Sequence, residues 1–438
     1  MNLNREILRL SVPSILANIT VPLVGMVDMA VVGHLDRASS AALIGGISIG
    51  TMLFDLLYWS LGFLRTGTGG LTAQAFGRRE NTDGILRRAL TIALVSGAAL
   101  ILLQWAIVKL AFLVVDCSPE VQQFATRYFH IRIWAAPATL SIFAFKGWFI
   151  GMQDTVRPMT ADILVSALNI LLSLGLGLGL VGLPAMGLSG VALGTVIAQW
   201  SGMLYCLVAC AKFPTRLPGQ GKIPSGAEFF ALNRDLFLRS LGMIAVYIGF
   251  TLLSARYGDL MLAVASIIMK LLLVFSYFTD GFAFAAEALT GRFIGERSRE
   301  GLTSAVKGVF SWSGGVAFFF IALYGLGSGP IFGLMTNDAS VVEAGREFIP
   351  WLLLMPLIGC PAFVWDGVFI GATASRDLRN STLLCAVGFF AVWFAGVAMG
   401  LDSTPEGAIH LLMAAYFVHL AIRGVYLGAN WKKIFVTL

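Results

Sequence analysis

Asp28 is the one carboxylate in a long apolar run, and the residues before it give it something to move. From Pro13 to Asp28 the chain carries two prolines (Pro13, Pro22), the amide Asn18, the hydroxyls Ser14 and Thr20, and no other ionisable group. A carboxyl group withdrawn from water favours its neutral form, which makes proton exchange near physiological pH its natural chemistry. Pro22 cannot donate to the carbonyl of Asn18, so a helix here is weakened and free to kink. The combination reads as a proton-operated switch with Asn18 and Pro22 at the hinge. The competing reading is a hydrated acid at a helix end, since Gly33 and His34 follow within two turns. Further along, Asp162, Ser166, Asn169 and Ser173 are spaced by four, three and four residues and share one helical face. Such a stripe faces either a water-lined cavity or a neighbouring helix, because Ser and Asn also join helices inside membranes.

The second half holds a comparable stripe. Asp280 and Glu287 lie seven residues apart with Tyr277 and Phe284 interleaved at the same spacing, a candidate cavity or substrate face. Glu287 also lies near Gly291-Arg292, where it could simply be solvated, and Lys270 is a candidate counter-ion. Lys146 and Asp366 occupy corresponding positions of an internal repeat with opposite charge. They read as an ion pair between the halves that opens during a cycle, or for Lys146 as a side chain snorkelling to the interface. Asp55 and Arg65 are open to the same two kinds of reading, a pair that works in the cycle or, the favoured one, helix-to-helix pairing.

These residues must be positioned by membrane-spanning helices. Charged residues are 12% of the chain, about half the share of a soluble domain, and mean hydropathy is +0.84, which excludes a water-soluble protein. Apolar blocks of at least about 20 residues account for roughly twelve spans, near 9–32, 41–76, 85–114, 121–151, 158–181, 187–211, 236–257, 261–292, 302–326, 342–371, 379–400 and 406–428. Basic residues concentrate in alternate joints (Arg78, Arg79, Arg87, Arg88, Arg157, Lys212, Arg216, Lys222, Arg234, Arg239), while the opposite joints hold mainly Arg37, Arg127, Arg256 and Arg346, with Arg132 a turn further in. By the positive-inside rule both termini are cytoplasmic, and the excess of positive charge implies no nucleic acid partner. Residues 2–10 are polar and precede a run long enough to span, so no cleavable leader is expected and the first helix serves as targeting signal.

The chain also repeats itself. Gly147-Trp148-Phe149-Ile150-Gly151 returns as Gly367-Val368-Phe369-Ile370-Gly371, and Thr72 with Gly77 returns as Thr290 with Gly295. Six spans per half make the repeats parallel, as in transporters that work by alternating access. The expected organisation is all-α: an N-terminal six-helix lobe (1–212), a cytoplasmic Pro- and Gly-rich linker (213–233) and a C-terminal six-helix lobe (234–438). Five cysteines without a CxxC spacing and four histidines without ligand spacing predict no metal or cofactor. No phosphate-binding loop, HExxH or GxSxG motif is present, so an enzyme is not expected and transport energy must come from an ion gradient.

Several motifs in order add a resemblance. Asn18-Ile19-Thr20-Val21-Pro22-Leu23 with Val27-Asp28 and Val32-Gly33-His34-Leu35-Asp36, then Gly70-Leu71-Thr72-Ala73-Gln74-Ala75-Phe76-Gly77, then Asp280-Gly281-Phe282-Ala283 with Glu287, and finally Asp366-Gly367-Val368-Phe369-Ile370-Gly371-Ala372-Thr373 resemble the DinF branch of the multidrug and toxic compound extrusion (MATE) transporters. The resemblance spans nearly the whole chain. It implies a twelve-helix, two-lobe antiporter of the bacterial inner membrane, acting as a monomer and exporting cationic or amphipathic organic compounds in exchange for protons or sodium. It places the coupling carboxylate at Asp28 and its partner amide at Asn169. Where the family often has a second acid this chain has Ser173. One titratable group suffices for a proton, whereas sodium gains from several oxygen ligands, so proton coupling is expected and sodium coupling is the alternative. A flippase for lipid-linked precursors is a further alternative. A major-facilitator antiporter is disfavoured, because Phe76-Gly77-Arg78-Arg79-Glu80 lacks that family's Asp-Arg-x-Gly-Arg-Arg joint.

Overall fold

A computed structural model describes residues 2–35, 40–115, 117–213, 226–335 and 339–437. Asp36, Arg37, Arg216 and Lys222 lie outside them. Twelve helices among these residues are long and apolar enough to cross a bilayer: α1 Leu3–Gly33, α2 Ala42–Gly77, α3 Asp83–Leu102, α4 Pro119–Gly151, α5 Val156–Gly177, α6 Leu188–Ala211, α7 Gly226–Tyr257, α8 Leu260–Gly295, α9 Arg299–Gly327, α10 Ile349–Gly371, α11 Ser375–Ala398 and α12 Pro405–Phe435. A shorter apolar helix, Gln104–Val114, follows α3. Leu102, Val114, Leu326 and Val425 are among many large apolar side chains left on the outside. In water such a surface would drive association; against lipid it is the expected exterior. The protein is a multi-pass integral membrane protein.

The described chain separates into two compact units. One comprises residues 16–72 and 79–223 and so contains most of α1 and α2 with α3–α6. The other comprises residues 1–15, 73–78 and 224–438 and contains α7–α12.

The repeat seen in the sequence is a repeat of packing. In the first unit a Cβ on Gly147 of α4 would stand 2.2 Å from the carbonyl oxygen of Arg65 on α2; in the second, a Cβ on Gly367 of α10 would stand 2.1 Å from that of Ala283 on α8. Both pairs of residues correspond under the repeat. Small residues let helix backbones touch where lipid offers no hydrophobic drive to associate. The helix ends repeat as well. Arg79 and Arg297 close α2 and α8 with φ of 57° and 56°, and Gln153 and Thr373 follow α4 and α10 with φ of 63° and 54°. These left-handed residues let the chain turn back and satisfy the last helical carbonyls, a task usually given to glycine.

Three spans of the first unit are interrupted by irregular backbone, and α2 is the simplest case, with a turn at Leu61–Gly62. Pro137 cannot donate to Ile133, and α4 passes through a 3₁₀ turn at Ile133–Ala135 just after Arg132. α5 ends in a π-helical turn at Ser173–Gly177, rich in glycine. There Gly190 of α6 packs so closely that a Cβ would sit 2.1 Å from the Leu176 carbonyl oxygen. Phe54 and Phe129 stack at 4.8 Å in the core beside this region, with Val31, Ile47 and Val191.

Candidate functional site: the Asp28 chain and two polar knots

The polar stripe of α5 meets the acid of α1. Ser173 Oγ donates to Asp28 Oδ1 at 2.6 Å and lies 3.4 Å from Asn169 Oδ1. Asn169 Nδ2 donates to Thr195 Oγ1 of α6 at 2.8 Å, and Thr195 donates to the Val191 carbonyl at 3.2 Å. Asp28, Ser173, Asn169 and Thr195 are all buried. A run of hydrogen bonds thus links three helices through one carboxylate, and its central residue opens the π turn of α5. π turns concentrate at functional sites because the extra residue re-aims side chains. Higher in the same pair of helices, Ser166 Oγ donates to Thr20 Oγ1 at 3.4 Å, while Thr20 donates back to the Ala17 carbonyl at 2.8 Å. Pro22 cannot donate to Asn18, so the turn from Ala17 to Pro22 lacks one helical hydrogen bond, as the turn before Pro13 does.

Asp162, the fourth member of the stripe, is engaged differently: it forms an ion pair with Lys146 of α4. Asp366 takes two arginines of its own unit. Arg239 of α7 donates to Asp366 Oδ2 at 2.5 Å; Arg423 of α12 donates through Nε to Oδ1 at 3.0 Å and also pairs with Oδ2. Lys146 and Asp366, expected as each other's partners, each have an ion-pair partner within their own unit. Arg239, grouped by sequence with the cytoplasmic joints, lies within α7 in this knot. Asp280 and Glu287 act electrostatically on Arg239, and Asp280 on Arg423. Glu287 is fully buried rather than solvated. Tyr277 and Phe284 occupy the same helix, α8, on the expected spacing.

Three groups escaped the sequence reading. Thr195 closes the Asp28 chain from α6, and an isolated threonine in an apolar helix carries no signal. Arg423 sits in α12 without a charged neighbour in sequence. Arg132 was counted with the outer joints although it lies fourteen residues into α4. Its Nη1 donates to Tyr128 Oη at 2.9 Å and Thr51 Oγ1 at 3.4 Å, and its guanidinium lies 4.8 Å from the Phe54 ring centroid. A basic residue at that depth is itself the signal that could have found it. A separate cavity of about 400 Å³, lined in part by Asn81, Asp83, Arg87, Trp148 and Phe213, does not include Asp28.

Comparison with known proteins decides the family. The MatE sequence profile matches residues 13–174 and again 236–395, once in each half. The chain belongs to the MatE family. Over 98% of its length it is 35% identical to DNA damage-inducible protein F of Escherichia coli (strain K12), covering 92% of that protein. It is 24% identical to the probable multidrug resistance protein NorM of Pasteurella multocida over 98% of this chain and 94% of that one. A crystal structure of a MATE protein in the bent conformation superposes with a TM-score of 0.85 at 19% identity, over 100% of this chain and 96% of that chain. At that identity the likeness shows the fold alone. The first relative supports the DinF branch of the MATE transporters, and this MATE protein is accordingly a secondary transporter for small-molecule efflux, not an enzyme.

Proposed function

We propose that this MATE transporter is a proton-driven antiporter that expels cationic or amphipathic organic compounds by alternating access. The observation that carries the reading is the Asp28–Ser173–Asn169–Thr195 chain, anchored on a proline-weakened α1 and on the π turn of α5. A serine hydroxyl has one hydrogen to give. While Asp28 is ionised, Ser173 donates to it. Once Asp28 is protonated it becomes the donor, Ser173 accepts, and the serine hydrogen is released towards Asn169. Protonation therefore reverses the polarity of the link between α1 and α5, and α1 responds at its weak turn near Pro22. The movement reduces the room beside Asp28 and expels the substrate; release of the proton to the cytoplasm resets the site.

The donor set favours a proton over sodium, since the chain offers one carboxylate among hydroxyls and an amide. The charge asymmetry of the joints supports cytoplasmic termini in a bacterial inner membrane, and the site, built within one unit, is consistent with a monomer. Proteoliposomes given either a pH gradient or a sodium gradient test the reading. Substrate flux should follow the pH gradient without sodium, and Asp28→Asn should lose coupled flux. Flux driven by sodium at zero pH gradient would replace the proton with sodium, and full coupled efflux by Asp28→Asn would remove Asp28 from the mechanism.

A further inference from the structure

Arg132 has a binding capacity that its protein neighbours leave unused. The guanidinium carries five N–H donors, yet among the described residues only Nη1 is hydrogen-bonded, to the hydroxyls of Tyr128 and Thr51. Phe54 and Tyr128 hold it by their ring faces, with centroids 4.8 and 5.6 Å from its central carbon. No carboxylate among the described residues stands within ion-pair distance. Asp28 and Asp55 act on it only through longer-range charge, together with the phenols Tyr58 and Tyr128. The side chain is partly exposed rather than sealed in the core. This is an unusual state for an arginine within a membrane span, where a close acidic partner is the normal way to offset the cost of the charge. The contrast with Arg423 is direct: that guanidinium is buried against Asp366.

We propose that Arg132 is the receptor for an acidic group on the transported compound, and that the compounds it favours are zwitterions. The planar fork lies over the Phe54 and Tyr128 rings, and its Nε and Nη2 have no hydrogen-bond partner among the described residues; that edge is the one that takes a carboxylate, sulfonate or phosphate through two parallel hydrogen bonds. The charges around it argue against a simple anion. With Asp28 and Asp55 ionised, one guanidinium faces two carboxylates, and an anion would add a third negative charge. A compound carrying both signs meets Arg132 with its acid and Asp28 with its cationic end. This inference rests on Asp28 being the coupling acid and keeps the exchange in the direction of antiport: a proton arriving on Asp28 removes the partner of the cationic end and promotes release. Substrate recognition is then shared between α1 and α4, with the acid fixed and the base competing with the proton.

A matched pair of dyes tests this. A rhodamine with a free benzoate carboxylate is a zwitterion, and its methyl ester is a cation on the same ring system. Binding of each to the full-length protein in nanodiscs is read by fluorescence anisotropy at mildly alkaline pH, at equilibrium and without any gradient, so an error about the coupling ion leaves the result interpretable. The wild type should bind the acid on the order of tenfold or more tightly than the ester, in line with a charge-assisted hydrogen bond. Arg132→Gln should abolish that preference by weakening the acid alone, and Arg132→Lys should restore part of it. Equal binding of both dyes by the wild type, or equal weakening of both by Arg132→Gln, overturns the proposal. Should Arg132→Gln fail to fold, the wild-type preference and its reduction in Arg132→Lys decide.

Discussion

Gly147→Ala and Gly367→Ala are one experiment done twice, because the repeat supplies its own control. The new Cβ would meet a backbone oxygen at 2.2 Å in the first unit and 2.1 Å in the second, where ordinary contact begins at 3.4 Å. Helices α2 and α4 must therefore part by about 1.2 Å, and α8 and α10 by about 1.3 Å. The obstacle is main chain on both sides, so no rotamer change relieves it, and the cost falls at the upper part of the overpacking range, about 2–3 kcal/mol. In a unit of some 200 residues each kcal/mol is worth about 2–4 °C, which gives a fall of roughly 4–12 °C in each case. The buried cysteines report the two units separately: Cys206 belongs to the first unit, Cys360 and Cys385 to the second. In versions retaining only one of these reporters, a thiol dye that fluoresces on reaction should detect earlier unfolding at Cys206 for Gly147→Ala and at Cys360 or Cys385 for Gly367→Ala. Gly314→Ala, where a Cβ meets nothing within 4 Å, should be neutral or slightly stabilising. A melting point within a degree of wild type for either repeat glycine would refute the claim that the duplicated motif exists for close packing.

Other consequences follow from individual contacts. Ser173→Ala removes a hydrogen bond to a charged group worth about 1.5–3 kcal/mol, so flux driven by a pH gradient should fall at least about tenfold while equilibrium substrate binding persists; Ser173→Thr should recover most of it. Arg297→Gly, at a left-handed position with φ of 56°, should raise the thermal midpoint by relieving about 1 kcal/mol of backbone strain. In native protein a maleimide should label partly exposed Cys117 well before the fully buried Cys206 and Cys385.

The sequence made the spans legible because hydropathy over some 20 residues is a property of a segment alone, and each of the twelve helices overlaps an expected apolar block; the block 85–114 is nevertheless broken at Leu103 into α3 and the short helix Gln104–Val114, and the block 342–371 begins in the short helix Ala339–Arg346. It made the stripe on α5 legible because three- and four-residue spacings are also local. Partners were not. Lys146 was matched with Asp366 on the logic of the repeat, but Lys146 lies against Asp162, and Asp366 against residues 127 and 57 positions away. Distances of that kind are set by how helices pack, and one sequence carries no record of it. The interruption of α4 was readable in principle from Pro137; the π turn of α5 was hinted at only by its glycines, which equally mark close packing. Arg132 was misplaced for a simpler reason. Its charge was assigned to the nearest joint instead of being weighed at its depth in the span.

The two units share a scaffold but use charge in opposite ways, and that difference can be measured. Asp28 is held by one hydroxyl that can either donate to it or accept from it, and the Asn169 carbonyl oxygen can accept the serine hydrogen released when Asp28 is protonated, so a proton can come or go with each of these polar groups still paired. Asp366 is held by two guanidiniums, and removing its charge takes the directly paired carboxylate from both, leaving Asp280 and, for Arg239, Glu287 as the remaining acids that act on them. Breaking a buried ion pair by deleting one member costs about 3–5 kcal/mol. Asp366→Asn should therefore lower thermal stability markedly, and whatever protein remains folded should still respond to a pH gradient. Asp28→Asn keeps a hydrogen-bonding partner for Ser173 and should melt close to wild type while losing the response. Stability loss confined to Asp28→Asn, or coupling loss confined to Asp366→Asn, would reverse the assignment and move the proton site to the second unit.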